Sequence, residues 1–134
     1  MIRLVLDTNV LVAALLNPGR VPARAIEAAC AAGAVLLTDA RIALEYREVL
    51  ARPKLRRIDA GCAAALLDRI DAHGETLRDV APWSGPMTDA DDRAFVEVAL
   101  AGGAHAVVTG NARHYPLDLG FEVLSPAQLL ARIG

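Results

Sequence analysis

Acidic side chains occur at three places that lie far apart along the chain. They are Asp7, Glu45 and the group Asp89, Asp91 and Asp92. Carboxylates that converge repel one another unless a cation neutralises them. The cations suited to such a group are Mg²⁺ and Mn²⁺, which prefer oxygen ligands and keep open positions for water and phosphate. A cation held in this way activates a water and neutralises a phosphodiester, so the acids indicate metal-dependent phosphoryl chemistry if the fold brings them together.

Each acid can also be explained without a metal, as a helix cap, as a partner in an ion pair or by the helix dipole. Asp7 precedes a predicted helix in the segment Asp-Thr-Asn, a common capping sequence. Glu45 follows Arg41 by four residues and can pair with it on an exposed helix face. On a helical wheel, however, Glu45 lies about 60° from Ile42, beside the apolar face. Acids in the first turn of a helix suit its dipole, which accounts for one or two of the three at positions 89–92.

The elements that must position these acids alternate between strands and helices. Apolar runs predict strands at 2–6, 34–37, 106–109 and 121–124, with a weaker strand at 76–80. Periodic segments between caps, glycines and prolines predict helices at 10–16, 23–32, 39–51, 59–73 and 89–101, and a closing helix from Ser125-Pro126. This alternation predicts an α/β fold with a mostly parallel central sheet and helices on both faces. Such sheets place their sites at the carboxyl ends of strands, where Asp7 stands.

The composition predicts one domain over residues 1–134, large enough to bury a core without a disulfide or metal staple. Hydrophobic residues make up 54% of the chain but aromatic residues only 4%, which indicates a helix-rich, lightly built core. The net charge of −2 excludes a globally basic nucleic-acid coat but not a local patch. No apolar run approaches the ~18 residues of a membrane span, and no signal-peptide cleavage site follows the N-terminal run. We therefore expect a cytoplasmic protein without a membrane segment.

Several other chemistries lack the residues that they need. Asn9 stands where a phosphotransferase of the haloacid dehalogenase type has its second aspartate, and no Gly-x-Gly-x-x-Gly follows the first strand. Lys54 is the single lysine, which leaves no late lysine for a phosphate-receiver domain. Cys30 and Cys62 have no Cys-x-x-Cys spacing and are expected to be buried small apolar residues in a reducing compartment. Three dispersed histidines are expected to be surface or loop residues rather than ligands: His73, His105 and His114.

Five cations lie within eleven residues in the middle of the chain. They are Arg47, Arg52, Lys54, Arg56 and Arg57. One interpretation is a helix C-terminus whose cations suit the dipole, followed by a solvated turn. The other is a phosphate-contacting lip beside the acids, which would guide a polyanion to them.

These motifs, taken together and in order, are similar to those of the PIN-domain nucleases over essentially the whole chain. The matching segments are Val-Leu-Asp7-Thr-Asn-Val, Leu-Glu45-Tyr-Arg-Glu-Val-Leu with Arg52-Pro-Lys-Leu, Asp89-Ala-Asp-Asp92-Arg-Ala-Phe, and Gly103-Ala-His-Ala-Val-Val-Thr109-Gly-Asn111. The segments Arg113-His-Tyr-Pro and Ser125-Pro also resemble the VapC-like branch, the toxin components of toxin–antitoxin systems.

The resemblance implies a Mg²⁺- or Mn²⁺-dependent endoribonuclease of single-stranded RNA with a four-acid site. By position, Asp7, Glu45 and Asp92 match the first three acids and would be catalytic and metal-binding. Asn111 takes the place of the fourth acid and would complete the metal shell through a neutral carbonyl. Asp91 would be a weaker ligand. The resemblance further implies a cognate antitoxin and a homodimer as partners.

The residues that match the family's supporting positions are Thr8, Asn9 and Thr109, which the resemblance implies orient the first carboxylate. Asn111 is the departure, because it removes one negative charge from the site. Two alternatives to an enzyme therefore remain. The chain is a weak or inactive module that binds RNA or protein, or it is a structural subunit whose acids only cap helices.

Overall fold

The computed structural model describes residues 1–133, which form one α/β domain built on a five-stranded sheet. The strands are β1 Arg3–Leu6, β2 Val35–Thr38, β3 Gly74–Thr76, β4 Ala106–Val108 and β5 Glu122–Leu124. The helices are α1 Thr8–Leu16, α2 Val21–Ala31, α3 Ala40–Leu50, α4 Ala60–Ala72, α5 Arg93–Ala101 and α6 Pro126–Ile133. Short 3-10 helices cover Pro53–Leu55, Ala90–Asp92 and Ala112–His114. The predicted fold class is confirmed, and every strand pairing is parallel.

The sheet is covered on both faces, as the buried strand residues show. Leu4, Val5 and Leu6 are consecutive in β1, and each is at most 1% exposed. Successive side chains of a strand point to opposite faces, so burial of all three requires helices on both sides. The three residues of β4 are buried in the same way. None of the helices in residues 1–133 has the length and apolar character needed to cross a bilayer.

The strand order is β3-β2-β1-β4-β5, so the chain builds the sheet in one direction from β1 and later in the other. The direction reverses between β1 and β4, which are parallel neighbours with Leu6 opposite Val108. In open parallel sheets a crevice forms outside the carboxyl ends of the strands at this point. Asp7 and Thr109 directly follow the two strands. The topology therefore places both residues at the crevice.

The third strand begins earlier than the sequence predicts and is shorter. The predicted span was 76–80, whereas β3 covers Gly74–Thr76. Gly74 follows α4 so closely that a Cβ atom there would lie 2.8 Å from the Ile70 carbonyl oxygen. β3 ends at Thr76, and Asp79, inside the rest of the predicted span, has a φ of 53°, which lies outside the strand conformation.

The predicted helix at 89–101 is divided into a 3-10 turn and α5. The Asp92 amide donates to the Asp89 carbonyl at 3.1 Å, three residues back. The Asp89 side chain also accepts a bond from the Asp91 amide at 2.9 Å, so this acid caps the turn. The three acids thus lie on a tightened turn and not on the first turn of a regular α-helix.

The two cysteines differ in burial, and the expectation for one of them is wrong. Cys30 is buried in α2, but Cys62 is exposed. The cause is the orientation of α4, which turns Ala63 and Ile70 toward the core and leaves Cys62 in its first turn facing outward.

We expect Phe95→Ala to lower the free energy of unfolding by about 3–5 kcal/mol, because Phe95 is 1% exposed and its loss leaves a core cavity. Leu100→Ala, in the same helix, is the matched control, since Leu100 is 39% exposed. Urea denaturation of both variants measures the difference. Equal losses would contradict the burial of Phe95 in the core.

Candidate functional site

A cleft of about 650 Å³ opens at the carboxyl ends of β1 and β4. Its polar lining includes three acids predicted from the sequence, their acidic neighbours and one amide: Asp7, Glu45, Asp92, Asp89, Asp91 and Asn111. These residues come from the end of β1, from α3, from the 3-10 turn before α5 and from the loop after β4. The fold thus brings these side chains, which are far apart in the sequence, into one cavity.

Asp7 caps a helix and lines the cleft at the same time. Its backbone amide donates to the Val108 carbonyl at 2.9 Å, which continues the pairing of β1 with β4. Its Oδ1 accepts the Asn9 backbone amide at 3.3 Å, as the N-cap of α1. The capping explanation and the functional explanation therefore both apply to this residue. The Asp7 side chain is held in place because it is only 4% exposed.

Two hydroxyl groups donate to the other oxygen of the same carboxylate. Thr109 Oγ1 donates to Asp7 Oδ2 at 2.9 Å, and the Tyr115 hydroxyl donates to the same atom at 2.8 Å. Burial, together with the charges of Asp7 and Asp92, raises the pKa of Tyr115 well above its ordinary value, so its hydroxyl keeps its proton. Thr109 thus contacts the carboxylate that the resemblance implied it would orient. Tyr115 was not among the predicted site residues, because no local spacing marks a contact across 108 positions.

The side chains of the predicted supporting residues Thr8 and Asn9 contact partners other than the Asp7 carboxylate, although the Asn9 backbone amide donates to it. The Thr8 hydroxyl donates to Oε2 of Glu45, so it orients the second acid and not the first. The Asn9 side chain links α1 to the loop after β4, since its Oδ1 accepts the Gly110 amide at 3.0 Å. Asn111 is connected to the same loop, because its amide donates to Thr109 Oγ1 at 3.0 Å. The loop is therefore tied to the start of α1.

The acids of the cleft carry an excess of negative charge. In the part of the chain that the structure describes, none of them takes part in a salt bridge. Burial raises the pKa of Asp92 to about 7, with further contributions from the charges of Asp7, Asp89, Glu45 and Asp91. The cleft is thus a place where a cation would be favourable.

In a second acidic cluster at the same sheet edge, one arginine forms ion pairs with both acids. Arg41 forms ion pairs with Asp39 at 2.7 Å and with Glu97 at 2.6 Å, and Glu97 also accepts the Trp83 amide at 2.8 Å. Burial opposes ionisation of Glu97, but Arg41 and the Trp83 amide outweigh it and hold its pKa below the ordinary value. Arg41 therefore pairs with these acids and not with Glu45, the partner considered from the sequence.

The structure brings only part of the basic run to the cleft. Arg52 and Lys54 line it, on the side of the 3-10 helix Pro53–Leu55. Arg47 lines a separate cavity between α3 and α4, whereas Arg56 and Arg57 are exposed and lie outside the lining of the cleft. Two basic side chains therefore line the cleft together with the acids.

His114 also lines the cleft, although its isolated place in the sequence predicted an ordinary surface or loop residue. It is partly buried, at the end of the 3-10 helix Ala112–His114. Its backbone amide donates to the Asn111 carbonyl at 2.9 Å. This turn is what brings His114 back to the cleft beside Asn111.

The oxygen atoms that line the cleft are of the type that binds a hard divalent cation, although they do not form a closed coordination site. Within residues 1–133, no three side chains of Asp, Glu, His or Cys form a ready-made cation site. Mg²⁺ does not require one, because it usually keeps several waters and takes one or two carboxylates directly. Asp7, Glu45 and Asp92 supply carboxylate oxygens and Asn111 an amide oxygen, which is the ligand type that Mg²⁺ and Mn²⁺ prefer.

A comparison with known families matches the part of the chain that contains this cleft. The family model described as PIN domain matches residues 3–113. The match includes Asp7, Glu45, Asp92 and Asn111, and it ends before Tyr115. No curated protein matches the chain.

We expect Asp92→Asn to raise the free energy of unfolding of the protein in EDTA at pH 8, because it removes one charge from an unneutralised group. The gain should develop as pH rises from 3.8, the ordinary pKa of the group, to about 7 and then stay constant. Chemical denaturation across this range measures it.

Glu97→Gln is the matched control and should lower stability by about 2 kcal/mol at neutral pH, since it leaves Arg41 with one partner fewer. The pKa of Glu97 is lowered on folding, so this loss should shrink as pH falls through the folded pKa. If both variants were equally destabilised at pH 8, the distinction between the two acidic clusters would be wrong.

Proposed function

The chain belongs to the PIN-domain family, whose members are generally nucleases, and we propose that it is a Mg²⁺- or Mn²⁺-dependent endoribonuclease of single-stranded RNA. The observation that carries the proposal is the convergence of Asp7, Glu45, Asp92 and Asn111 in one open cleft. Helix capping alone explains Asp7 and Asp89, but it does not explain why Glu45 and Asp92 share their cavity.

The four residues have separate tasks in this proposal. Asp7, Glu45 and Asp92 hold the cation with Asn111, and Asp91 is a weaker ligand at the exposed edge. A divalent cation supplies a water of lowered pKa and neutralises charge on the phosphodiester. Asn111 contributes an oxygen without charge, so the site carries one negative charge fewer than a four-acid site. A single cation is therefore favoured over a pair.

The apolar residues of the cleft lining support a single-stranded polynucleotide as the substrate. Part of the cleft wall consists of aliphatic side chains from α1, α3 and the following turn: Val12, Leu16, Val49 and Leu55. Arg52 and Lys54 stand beside them. An unpaired base can lie on such a wall while its neighbouring phosphates face the cations and the metal site. A base inside a duplex has no access to it. Arg47, Arg56 and Arg57 would contact phosphates only beyond the cleft.

We extend the proposal to a toxin of a toxin–antitoxin pair, acting on cytoplasmic RNA. The support is the resemblance of Arg113-His-Tyr-Pro and Ser125-Pro to the toxin branch of the family. An antitoxin would block the enzyme most directly by covering the cleft and its two cations. A homodimer is proposed from the family resemblance and from the prevalence of twofold assemblies among soluble oligomers.

A second candidate function is an RNA- or protein-binding module without turnover. Two observations favour it: Asn111 replaces an acid, and no ready-made cation site exists within residues 1–133. The two functions differ in one measurement, because the module would bind RNA in Mn²⁺ and leave it intact.

We expect the protein to cleave an unstructured RNA in Mn²⁺, and EDTA to stop the reaction. Glu45→Gln should reduce the initial rate by about 100-fold or more, since cation stabilisation of the transition state contributes several kcal/mol. The substitution keeps the size of the side chain and an oxygen that can accept the Thr8 hydroxyl. Rates are measured on end-labelled RNA resolved by gel electrophoresis.

Glu48→Gln is the control, because Glu48 is an exposed acid of the same helix that lies outside the cleft. Its rate should stay within about twofold of the wild type, as for most surface substitutions. Equal rates for the Glu45 and Glu48 variants, or intact RNA with the wild-type protein, would reject the proposed enzyme.

We expect the double variant Arg52→Gln/Lys54→Gln to weaken RNA binding and to make it less dependent on salt. The negative slope of the log association constant against log salt concentration should become shallower by about 1.4, the value for two phosphate contacts on a single strand. The equal charge change Arg56→Gln/Arg57→Gln should have a smaller effect, since these side chains lie outside the cleft. Fluorescence anisotropy at several salt concentrations, in Ca²⁺ to slow cleavage, measures both. A larger effect of the second pair would move the RNA path away from the cleft.

A further inference from the structure

The tyrosine that follows the turn Ala112–His114 is buried against the carboxylate at the centre of the cleft. Tyr115 is 4% exposed, and its hydroxyl donates to Asp7 Oδ2 at 2.8 Å. Thr109 is fully buried and donates to the same oxygen at 2.9 Å. Neither hydroxyl contacts Glu45, which has its own donor in Thr8. The pair of hydroxyl groups is therefore specific to one atom of one acid.

The two oxygens of Asp7 are left with different capacities for a further ligand. A carboxylate oxygen has about two lone-pair sites. Both sites of Oδ2 are used by the hydroxyls, whereas Oδ1 accepts only the Asn9 amide, at the longer distance of 3.3 Å. A cation approaching Asp7 therefore finds a free site on Oδ1 and none on Oδ2.

We propose that Tyr115 is a positioning residue that, with Thr109, makes Asp7 a one-oxygen ligand and thereby favours Mg²⁺ and Mn²⁺ over Ca²⁺ in the cleft. The inference rests on the proposed metal-dependent function. Ca²⁺ takes six to eight oxygens and readily accepts both oxygens of one carboxylate, while Mg²⁺ requires near-octahedral geometry with single-oxygen contacts. Occupying Oδ2 by hydrogen bonds removes the two-oxygen mode that Ca²⁺ uses.

The position of Tyr115 also couples this selection to the fourth ligand. Thr109 Oγ1, which donates to Asp7, accepts the Asn111 amide at 3.0 Å. Tyr115 anchors the other end of the same short segment to Asp7, so the segment that carries Asn111 is fixed at two points on one carboxylate. Loss of the Tyr115 hydroxyl would free one oxygen of Asp7 and one end of this segment together.

The test is the substitution Tyr115→Phe, which removes one hydroxyl and keeps the ring. Titration calorimetry with Mg²⁺ and with Ca²⁺ gives the Kd of each cation for the RNA-free protein. We expect the ratio of the Mg²⁺ Kd to the Ca²⁺ Kd to rise about tenfold, the lower end of the effect of residues that orient metal ligands. Tyr115→Phe/Thr109→Val should raise the ratio further, because both bonds to Oδ2 are then absent.

Tyr46→Phe is the matched control. Tyr46 is equally buried, at 2% exposed, and its hydroxyl donates to the backbone carbonyl of Leu6 at 2.5 Å, one residue before Asp7. Both single variants lose one buried hydrogen bond, so thermal unfolding in EDTA should show similar losses of stability. The cation ratio of Tyr46→Phe should match that of the wild type.

The outcomes separate this inference from the proposed function. An unchanged ratio in Tyr115→Phe, or an equal change in Tyr46→Phe, would overturn the positioning role while the wild type still binds Mg²⁺. Absence of Mg²⁺ and Ca²⁺ binding by the wild type at millimolar concentration would overturn the proposed metal site and the inference with it.

Discussion

The burial of the Asp7 carboxylate is the constraint on which the rest of the cleft depends. A charged group that is 4% exposed is costly unless hydrogen bonds compensate for its lost hydration. The partners come from the start of α1, the end of β4 and Tyr115 beyond the next turn. One carboxylate thus joins three segments that are distant in sequence. The loop that carries Asn111 is held in place by the same bonds that satisfy Asp7.

Two groups of acids lie at the sheet edge, and they differ in whether a basic side chain forms ion pairs with them. Asp39 and Glu97 are buried but share ion pairs with Arg41, which offsets one of their two charges. Asp7, Glu45 and Asp92 share a cleft, and in the described residues none of them forms a salt bridge. Burial, with the charges of the neighbouring acids, raises the pKa of Asp92. Retaining unneutralised charge lowers the stability of a fold, and such sites are commonly kept because function requires them. The contrast distinguishes structural acids from candidate functional ones better than burial does.

The order of strands and helices was predictable from the sequence, because apolar runs and end signals are local. The errors also have local causes that a pattern does not reveal. The predicted third strand included Asp79, whose positive φ is not a strand conformation, and the helix at 89–101 was divided at the turn that the Asp89 side chain caps. Cys62 was expected to be buried, but the rotation of α4 depends on its packing and not on its own sequence.

For the site, residue types and spacing were enough to predict that Asp7, Glu45 and Asp92 lie near one edge of a parallel sheet. The hydroxyl group that donates to each carboxylate became known from the three-dimensional fold alone. The fold assigned Thr8 to Glu45, 37 positions away, and Tyr115 to Asp7, 108 positions away. It also selected Arg52 and Lys54 from five neighbouring cations as the pair beside the acids. Side-chain contacts over such separations depend on how helices pack and where turns end. Residue type and spacing along the chain do not predict either.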